Sequence, residues 1–92
     1  MGHAASIEAK LRAALRPLRL EIVNESALHK GHHAHFDGTG ETHLRVRIVA
    51  DAFGGMTRLQ RHRAVNELAA DEIRAGLHAL AIEARTPAEA GL

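Results

Sequence analysis

The chain opens with a pattern of apolar residues that is typical of an amphipathic helix. The residues that carry the pattern are Ile7, Leu11, Ala14 and Leu15. Their helical spacing puts them on one face of about two turns. Ser6 precedes the pattern and is a suitable N-cap. Pro17 is expected to end the helix, because the residue before a proline avoids helical backbone angles.

Two segments in which apolar and polar residues alternate then predict β-strands. The apolar positions are Leu18, Leu20 and Ile22 in the first segment, and Leu44, Val46 and Ile48 in the second. Such alternation indicates a strand with one buried face. Residues 27–42 lie between the segments, contain three glycines and follow neither period. We therefore predict a long loop, across which the two strands pair antiparallel.

A second amphipathic helix is predicted from Leu59 to Ile73. Its apolar stripe consists of Val65, Leu68, Ala69 and Ile73. Thr57 is the expected N-cap, and Gly76 is expected just beyond the C-terminus, where left-handed backbone favours glycine. The first turn is basic, which is the reverse of the arrangement that the helix dipole favours. Because this basic turn has no local stability reason, it points to a binding role.

The final strand is predicted over residues 78–84, with His78, Leu80 and Ile82 on one face. A helix between two strands implies a right-handed parallel crossover, so the third strand is expected beside the second. The predicted order is helix, strand, strand, helix, strand. The tail around residues 86–89 can add one short helical turn.

Length and composition indicate one small soluble domain over residues 1–92. We place its core at about 6–87 and expect frayed ends at 1–5 and 88–92. Apolar residues make up 46% of the chain, but with two Phe and no Trp or Tyr the core must be aliphatic. No run approaches the ~20 apolar residues that a membrane span needs. We therefore expect a cytoplasmic protein without membrane contact.

Charge, cysteine content and motifs exclude several classes of function. The net charge of +1 gives little bulk attraction to nucleic acid or membrane, so any steering must come from local patches. The absence of Cys excludes disulfides and thiolate ligands from this chain and fits a reducing compartment. Nucleophile motifs, paired carboxylates and phosphate-binding glycine loops are missing, so we do not expect an enzyme. The eight histidines, by contrast, exceed what chance composition supplies.

Several short motifs resemble those of the BolA family when they are taken together, in order and with their spacing. They are Asn24-Glu25-Ser26, Gly40-Glu41-Thr42-His43, Arg45-Val46, Phe53-x-Gly55, Arg61-His62-Arg63-x-Val65-Asn66 and His78-Ala79-Leu80. The resemblance spans roughly residues 7–87. It implies an α+β fold of order α-β-β-α-β(-α), with a three-stranded mixed sheet and helices on one face, similar to a type II KH domain. It also implies a monothiol glutaredoxin partner, a shared [2Fe–2S] cluster and a role in gene regulation.

The resemblance also identifies candidate cluster ligands. His78 corresponds to the family's main ligand candidate, and the second ligand comes from the connection between the first two strands. There the resemblance leaves His43 and His29 open. The connection adds further histidines, which are His32, His33 and His35. The chain departs from the family pattern in having Leu44 where Phe is usual, and in lacking a C-terminal Trp.

Without Cys, the chain cannot complete a cluster by itself. Thiolates of glutaredoxin and glutathione can hold one iron and two histidines of this chain the other, as in Rieske-type centres, so the isolated chain is not expected to bind a cluster tightly. Such ligation raises the reduction potential and makes the cluster sensitive to pH, because each ligand must be deprotonated. The alternative for His78 is a structural histidine bonded to backbone. For the loop histidines, it is a solvated loop or adventitious zinc or nickel binding.

A basic patch supports a second reading, a DNA-binding transcriptional regulator. The stretch from 44 to 66 holds one acid, Asp51, and five arginines, which are Arg45, Arg47, Arg58, Arg61 and Arg63. A KH-like turn that leads into an arginine-rich helix can hold a phosphate backbone. The patch lacks a Gly-x-x-Gly clamp and interleaved aromatics, and it serves equally well as a docking face for an acidic partner. A homodimer is not predicted, and the sequence leaves self-association open.

Overall fold

A computed structural model gives the structure of residues 2–26 and 42–92. The predicted loop, apart from Thr42, and with it His29 and the three neighbouring histidines, lies outside the described residues. The described elements are α1 His3–Leu15, β1 Arg19–Asn24, β2 His43–Val49, α2 Arg58–Leu68, α3 Ala70–Arg74 and β3 Ala79–Arg85, with a short 3-10 helix at Asp51–Phe53 between β2 and α2. In the part of the chain that is described, no helix is long and apolar enough to cross a membrane.

The strands form one mixed sheet in the order β1-β2-β3. β1 pairs antiparallel with β2, so that Ile22 lies opposite Val46, and β3 pairs parallel with β2, so that Val46 lies opposite Ile82. Both predicted pairings are confirmed. The parallel pairing follows from the crossover through α2 and α3, which returns the chain to the edge of β2.

The two faces of the sheet differ because the β2 side chains alternate between them. Leu44, Val46 and Ile48 are at most 1% exposed and contact the helices. The buried core that they join consists of Ile7, Leu11, Leu44, Val46, Ile48, Ala50, Phe53, Val65, Ala69 and Leu77. The odd-numbered β2 residues point the other way, to what we call the open face. That face includes Arg45 and Arg47.

The N-cap predicted for the first helix is wrong. α1 begins at His3 with Gly2 as its N-cap, so residues 3–5 form its first turn. Ser6 lies inside the helix, and its hydroxyl donates to Oε2 of Glu72 at 2.5 Å. As an N-cap, the hydroxyl would accept a hydrogen bond from a backbone N–H of its own helix, whereas here it donates one to a buried carboxylate of another helix. The helix ends at Leu15, two residues before Pro17, as the proline rule predicts.

The predicted helix from Leu59 to Ile73 is interrupted in the structure. Ala69 has φ −98° and ψ 9°, and its N–H is shared between carbonyls at 3.1 and 3.2 Å, so α2 ends before it and α3 begins after it. Across the interruption Glu72, at 5% exposure, faces the interior, while Ile73 is 41% exposed. The prediction that Ile73 belongs to the apolar stripe is therefore wrong. The predicted helix limits hold, since Thr57 caps α2 and Gly76 has φ +125°.

The third strand begins one residue later than predicted. β3 starts at Ala79, and Leu80 and Ile82 pack against the core. His78 precedes the strand and is exposed, so its predicted place on one face with Leu80 and Ile82 is wrong. Beyond β3 the chain forms hydrogen-bonded turns, and Glu89 pairs with Arg61 in a segment expected to fray.

Candidate metal centre

The starts of β2 and β3 meet at one corner of the sheet. The carbonyl oxygen of Thr42 accepts hydrogen bonds from the backbone N–H groups of His78, at 2.9 Å, and Ala79, at 3.0 Å. His43, the first residue of β2, lies opposite Ala79 in the parallel ladder. These bonds fix Thr42, which precedes β2, beside the start of β3. His43 and His78, two of the predicted ligands, are thereby brought together.

The imidazoles of His43 and His78 face each other at this corner. Their ring centroids are 6.1 Å apart and their planes are 73° apart. Metal–nitrogen bonds are about 2 Å long, so two ring nitrogens on one metal lie within about 4 Å of each other. His78 is exposed, which leaves its side chain room to rotate toward that separation. The two residues therefore fit as ligands of one metal.

A buried hydroxyl fixes the backbone of His43. Ser26 is 2% exposed, and its Oγ accepts from the backbone N–H groups of Thr42, at 2.9 Å, and His43, at 3.1 Å. Its own N–H donates to Oδ1 of Asn24 at 2.9 Å. In the sequence, Asn24-Glu25-Ser26 contributes to the family resemblance but does not indicate a contact. The structure gives it one, since this serine holds together the chain on either side of residues 27–41.

The ring of His43 is oriented as well as its backbone. Its Nδ1 lies 2.9 Å from Oγ1 of Thr42. Hydrogen bonds of this kind hold the ring of a ligand imidazole in one direction.

The donor set at this corner is incomplete for a resident metal ion. Among residues 2–26 and 42–92, no group of three or more His, Cys, Asp or Glu side chains is arranged to hold one. Two imidazoles supply half of a tetrahedral set. The remaining ligands must come from residues 27–41 or from another molecule, and His29 stays a prediction because it lies outside the described residues.

Two of the predicted surface arginines lie on the open face within a ladder of ion pairs. Arg45 pairs with Glu25 at 2.9 Å and with Glu83 at 3.1 Å. Arg47 pairs with Glu21 at 3.0 Å and with Glu83 at 3.5 Å. Partial burial raises the pKa of Glu83, but the hydrogen bonds and charges of both arginines outweigh it, so that this pKa lies below its ordinary 4.5. The positive charge of this pair is largely neutralised within the protein.

The three predicted arginines of α2 differ from one another. Arg58 and Arg63 are exposed and have no acidic partner among the described residues. The side chain of Arg61 is only 12% exposed and pairs with Glu89 at 2.6 Å. It also donates to the carbonyls of Met56, at 3.2 Å, and Ala84, at 3.1 Å. The five arginines therefore do not form one continuous basic surface.

We expect Arg61→Met to lower the free energy of unfolding by about 2–3 kcal/mol, because charge-assisted bonds to partly buried carbonyls are lost.

The same substitution should change the pH dependence of stability, because the pairing with Arg61 holds the pKa of Glu89 down at about 2. A lowered pKa stabilises the fold above the ordinary 4.5, and this contribution fades as the pH falls toward 2. Urea unfolding at pH 7 and pH 3 measures both effects. Arg58→Met is the control and should stay within about 0.5 kcal/mol of the wild type; equal losses in both variants would contradict the assignment.

Comparisons with known proteins agree with one another. The family model described as BolA-like protein matches residues 11–89. The chain is 56% identical over 89 residues to the Sinorhizobium "uncharacterized protein in cobS 5′ region", covering 97% of this chain and 96% of that one. It is 51% identical over 85 residues to mouse BolA-like protein 1, covering 92% of this chain but only 58% of the mouse protein.

The fold is also similar to a solved structure. BolA1 from Arabidopsis thaliana superposes with a TM-score of 0.84 at 38% identity, covering 97% of this chain and 96% of that one. The three-stranded mixed sheet with its helices is thus shared with proteins that bear the same family name.

Proposed function

Because the chain belongs to the BolA family, we propose that it is an accessory protein that binds a monothiol glutaredoxin and shares a [2Fe–2S] cluster with it. Two histidines of this chain would hold one iron, and thiolates of the glutaredoxin and of glutathione the other. The protein would act in the trafficking of the cluster or in sensing iron and redox state. It would do so as a binding partner rather than as an enzyme.

One observation carries this proposal. The imidazoles of His43 and His78, separated by 35 positions in the sequence, approach within 6.1 Å at an accessible corner. A strand-start histidine that served the fold alone would use its ring to satisfy backbone groups. Instead, the backbone N–H of His78 makes the contact with Thr42, and the ring is exposed.

Each residue at the corner has a distinct role in this proposal. His78 and His43 would coordinate iron, and Thr42 and Ser26 would orient His43. Histidine ligation supplies a cluster of raised reduction potential. The exposure of His78 leaves room for a second protein to approach. Within residues 2–26 and 42–92 no third His, Cys, Asp or Glu completes a metal site with the two imidazoles, and we assign the remaining thiolate ligands to that protein and to glutathione.

The proposal is tested by titrating the purified protein, under anaerobic conditions, with a monothiol glutaredoxin that carries its cluster and glutathione. We expect a one-to-one complex by size exclusion, with altered visible circular dichroism and with iron and sulfide in equal amounts. Glutaredoxin without its cluster is the matched control and should bind more weakly. An unchanged spectrum with no co-eluting iron would reject the proposal.

DNA binding is the second candidate. It is favoured by Arg58 and Arg63, which are exposed and unpaired among the described residues at the start of α2. A phosphate backbone held there would give binding that weakens steeply with salt. Absence of binding to duplex DNA at low salt would remove this candidate.

A further inference from the structure

The far end of the open face carries a second charged feature, remote from the histidine corner. A cleft of about 510 Å³ lies there, and its lining residues are Arg19, Leu20 and Glu21 of β1, Arg47 and Val49 of β2, Arg85 of β3 and Ala90. Val49 is six residues beyond His43 along β2, so the cleft is about 20 Å from the imidazoles. The cleft therefore belongs to a different site.

The order of charges across the sheet changes at this end. One row, read from β1 to β3, is Glu21, Arg47, Glu83, with a cation between two anions. The next row on the same face is Arg19, Val49, Arg85, with two cations on either side of an apolar residue. In the row at the cleft the two outer residues are cations instead of anions. The central position, where an anion would complete the reversed order, is occupied by the apolar Val49.

The two flanking guanidinium groups are available. Arg19 and Arg85 are exposed, and neither pairs with an acid among the described residues, whereas Arg47 is engaged by Glu21 and Glu83. Neighbouring strands lie about 4.8 Å apart, so the backbones of Arg19 and Arg85 are about 10 Å apart on either side of Val49. Side chains as long as arginine's can converge across that distance on one group above the valine.

We propose that Arg19 and Arg85 together bind an oxyanion over Val49, namely a phosphate or carboxylate group of a small-molecule ligand. Guanidinium groups bind both anions in a two-pronged geometry. Val49, which is 9% exposed, forms a small apolar floor, and the carboxylate of Glu21, which also lines the cleft, is paired with Arg47. This site is independent of the cluster proposal, because it uses none of the histidine-corner residues.

The first test is a titration of the protein with inorganic phosphate and, separately, with succinate, followed by ¹⁵N NMR at pH 7.5 against sodium chloride of equal ionic strength. We expect saturable shifts at Arg19, Val49 and Arg85 with a Kd on the order of 1 mM. Arg19→Gln and Arg85→Gln should each weaken binding about tenfold. Arg63→Gln, which removes an equally exposed charge on α2, should change it by less than about twofold. If the shifts saturate with phosphate the ligand carries a phosphate group, and if they saturate with succinate it carries a carboxylate group.

A second test does not depend on a soluble ligand. Val49→Glu places a carboxylate in the central position of the row, so this variant should melt at a higher temperature than Val49→Gln. The difference should vanish in an Arg19→Gln, Arg85→Gln background. Shifts no larger than those with chloride would overturn the proposal, as would a Val49→Glu protein that is no more stable than Val49→Gln.

Discussion

The His78→Ala protein is expected to fold normally and to lose the cluster-bound complex with a monothiol glutaredoxin. His78 is exposed, and its ring makes no hydrogen bond to the backbone of residues 2–26 and 42–92, so its removal should change the free energy of unfolding by less than about 0.5 kcal/mol. Losing one of two imidazole ligands should reduce the co-eluting iron by tenfold or more, since even the loss of a residue that only orients a ligand costs about 10–100-fold. Iron analysis and visible circular dichroism of the anaerobic mixture measure the effect.

The second ligand is identified by the same assay. His43→Ala should match His78→Ala if His43 is the ligand, whereas His29→Ala should do so if the connection supplies it. His78→Cys should keep the cluster at a lower reduction potential, because thiolate replaces imidazole. His62→Ala, on α2, is the matched control and should leave the spectrum unchanged. A wild-type spectrum from His78→Ala would refute the ligand assignment.

The second large effect is expected at Glu72, whose carboxylate joins α3 to α1. Its side chain is 6% exposed and accepts from the Ser6 hydroxyl and from Nζ of Lys10 at 2.9 Å. Glu72→Ala removes this acceptor and leaves the serine hydroxyl without a buried partner. We expect a loss of about 2–4 kcal/mol, less than for a fully buried pair because Lys10 is 34% exposed and can rehydrate. For a domain of this size that lowers Tm by roughly 10–20 °C, which calorimetry measures.

The pH dependence of the same contact has a definite sign. Burial raises the pKa of Glu72, but the bonds from Ser6 and Lys10 outweigh it and hold the pKa below its ordinary 4.5. A lowered pKa stabilises the fold above pH 4.5, and the contribution is lost as the pH falls below it. Lys10→Met removes the counter-charge, so its deficit should be largest at pH 7 and shrink toward pH 4. A deficit that does not depend on pH would show that the charge of Glu72 is unimportant.

An exposed pair on α1, the helix that carries Ser6 and Lys10, provides the control for Glu72. Glu8 and Arg12 form an ion pair at 3.0 Å, with about half of each side chain exposed. Glu8→Ala should change stability by no more than about 0.5 kcal/mol, because water screens such pairs. Equal effects at Glu8 and Glu72 would mean that burial of the contact does not matter.

Elements that depend on short-range chemistry could be predicted from the sequence. The period of two predicted the buried face of β2 and the inward positions Leu20 and Ile22 of β1, but Leu18, predicted on the same face, precedes β1 and is 53% exposed. Thr57 with Gln60 forms the capping box that begins α2. The parallel pairing of β3 followed from the handedness of crossovers. Each of these features is decided by the backbone and by near neighbours in the chain.

The remaining features depend on contacts between distant segments. Ser6 has the chemistry of an N-cap, but its partner is 66 positions away. The turn at Ala69 breaks a helix that periodicity alone would continue, and the buried acid Glu72 replaces Ile73 at the interior. At the candidate site, the approach of His43 to His78 required the register of β2 against β3, which no local pattern specifies.

Ser26 has a consequence for how this protein can diverge. Its side-chain oxygen accepts hydrogen bonds from the first residues after the segment 27–41, and Ser26 itself directly precedes that segment. Changes in the length of the segment are therefore decoupled from the backbone position of His43. Doubling such a segment costs only about 0.6 kcal/mol of closure entropy. The imidazole of His43 can therefore keep its place beside His78 when the length of the segment 27–41 changes.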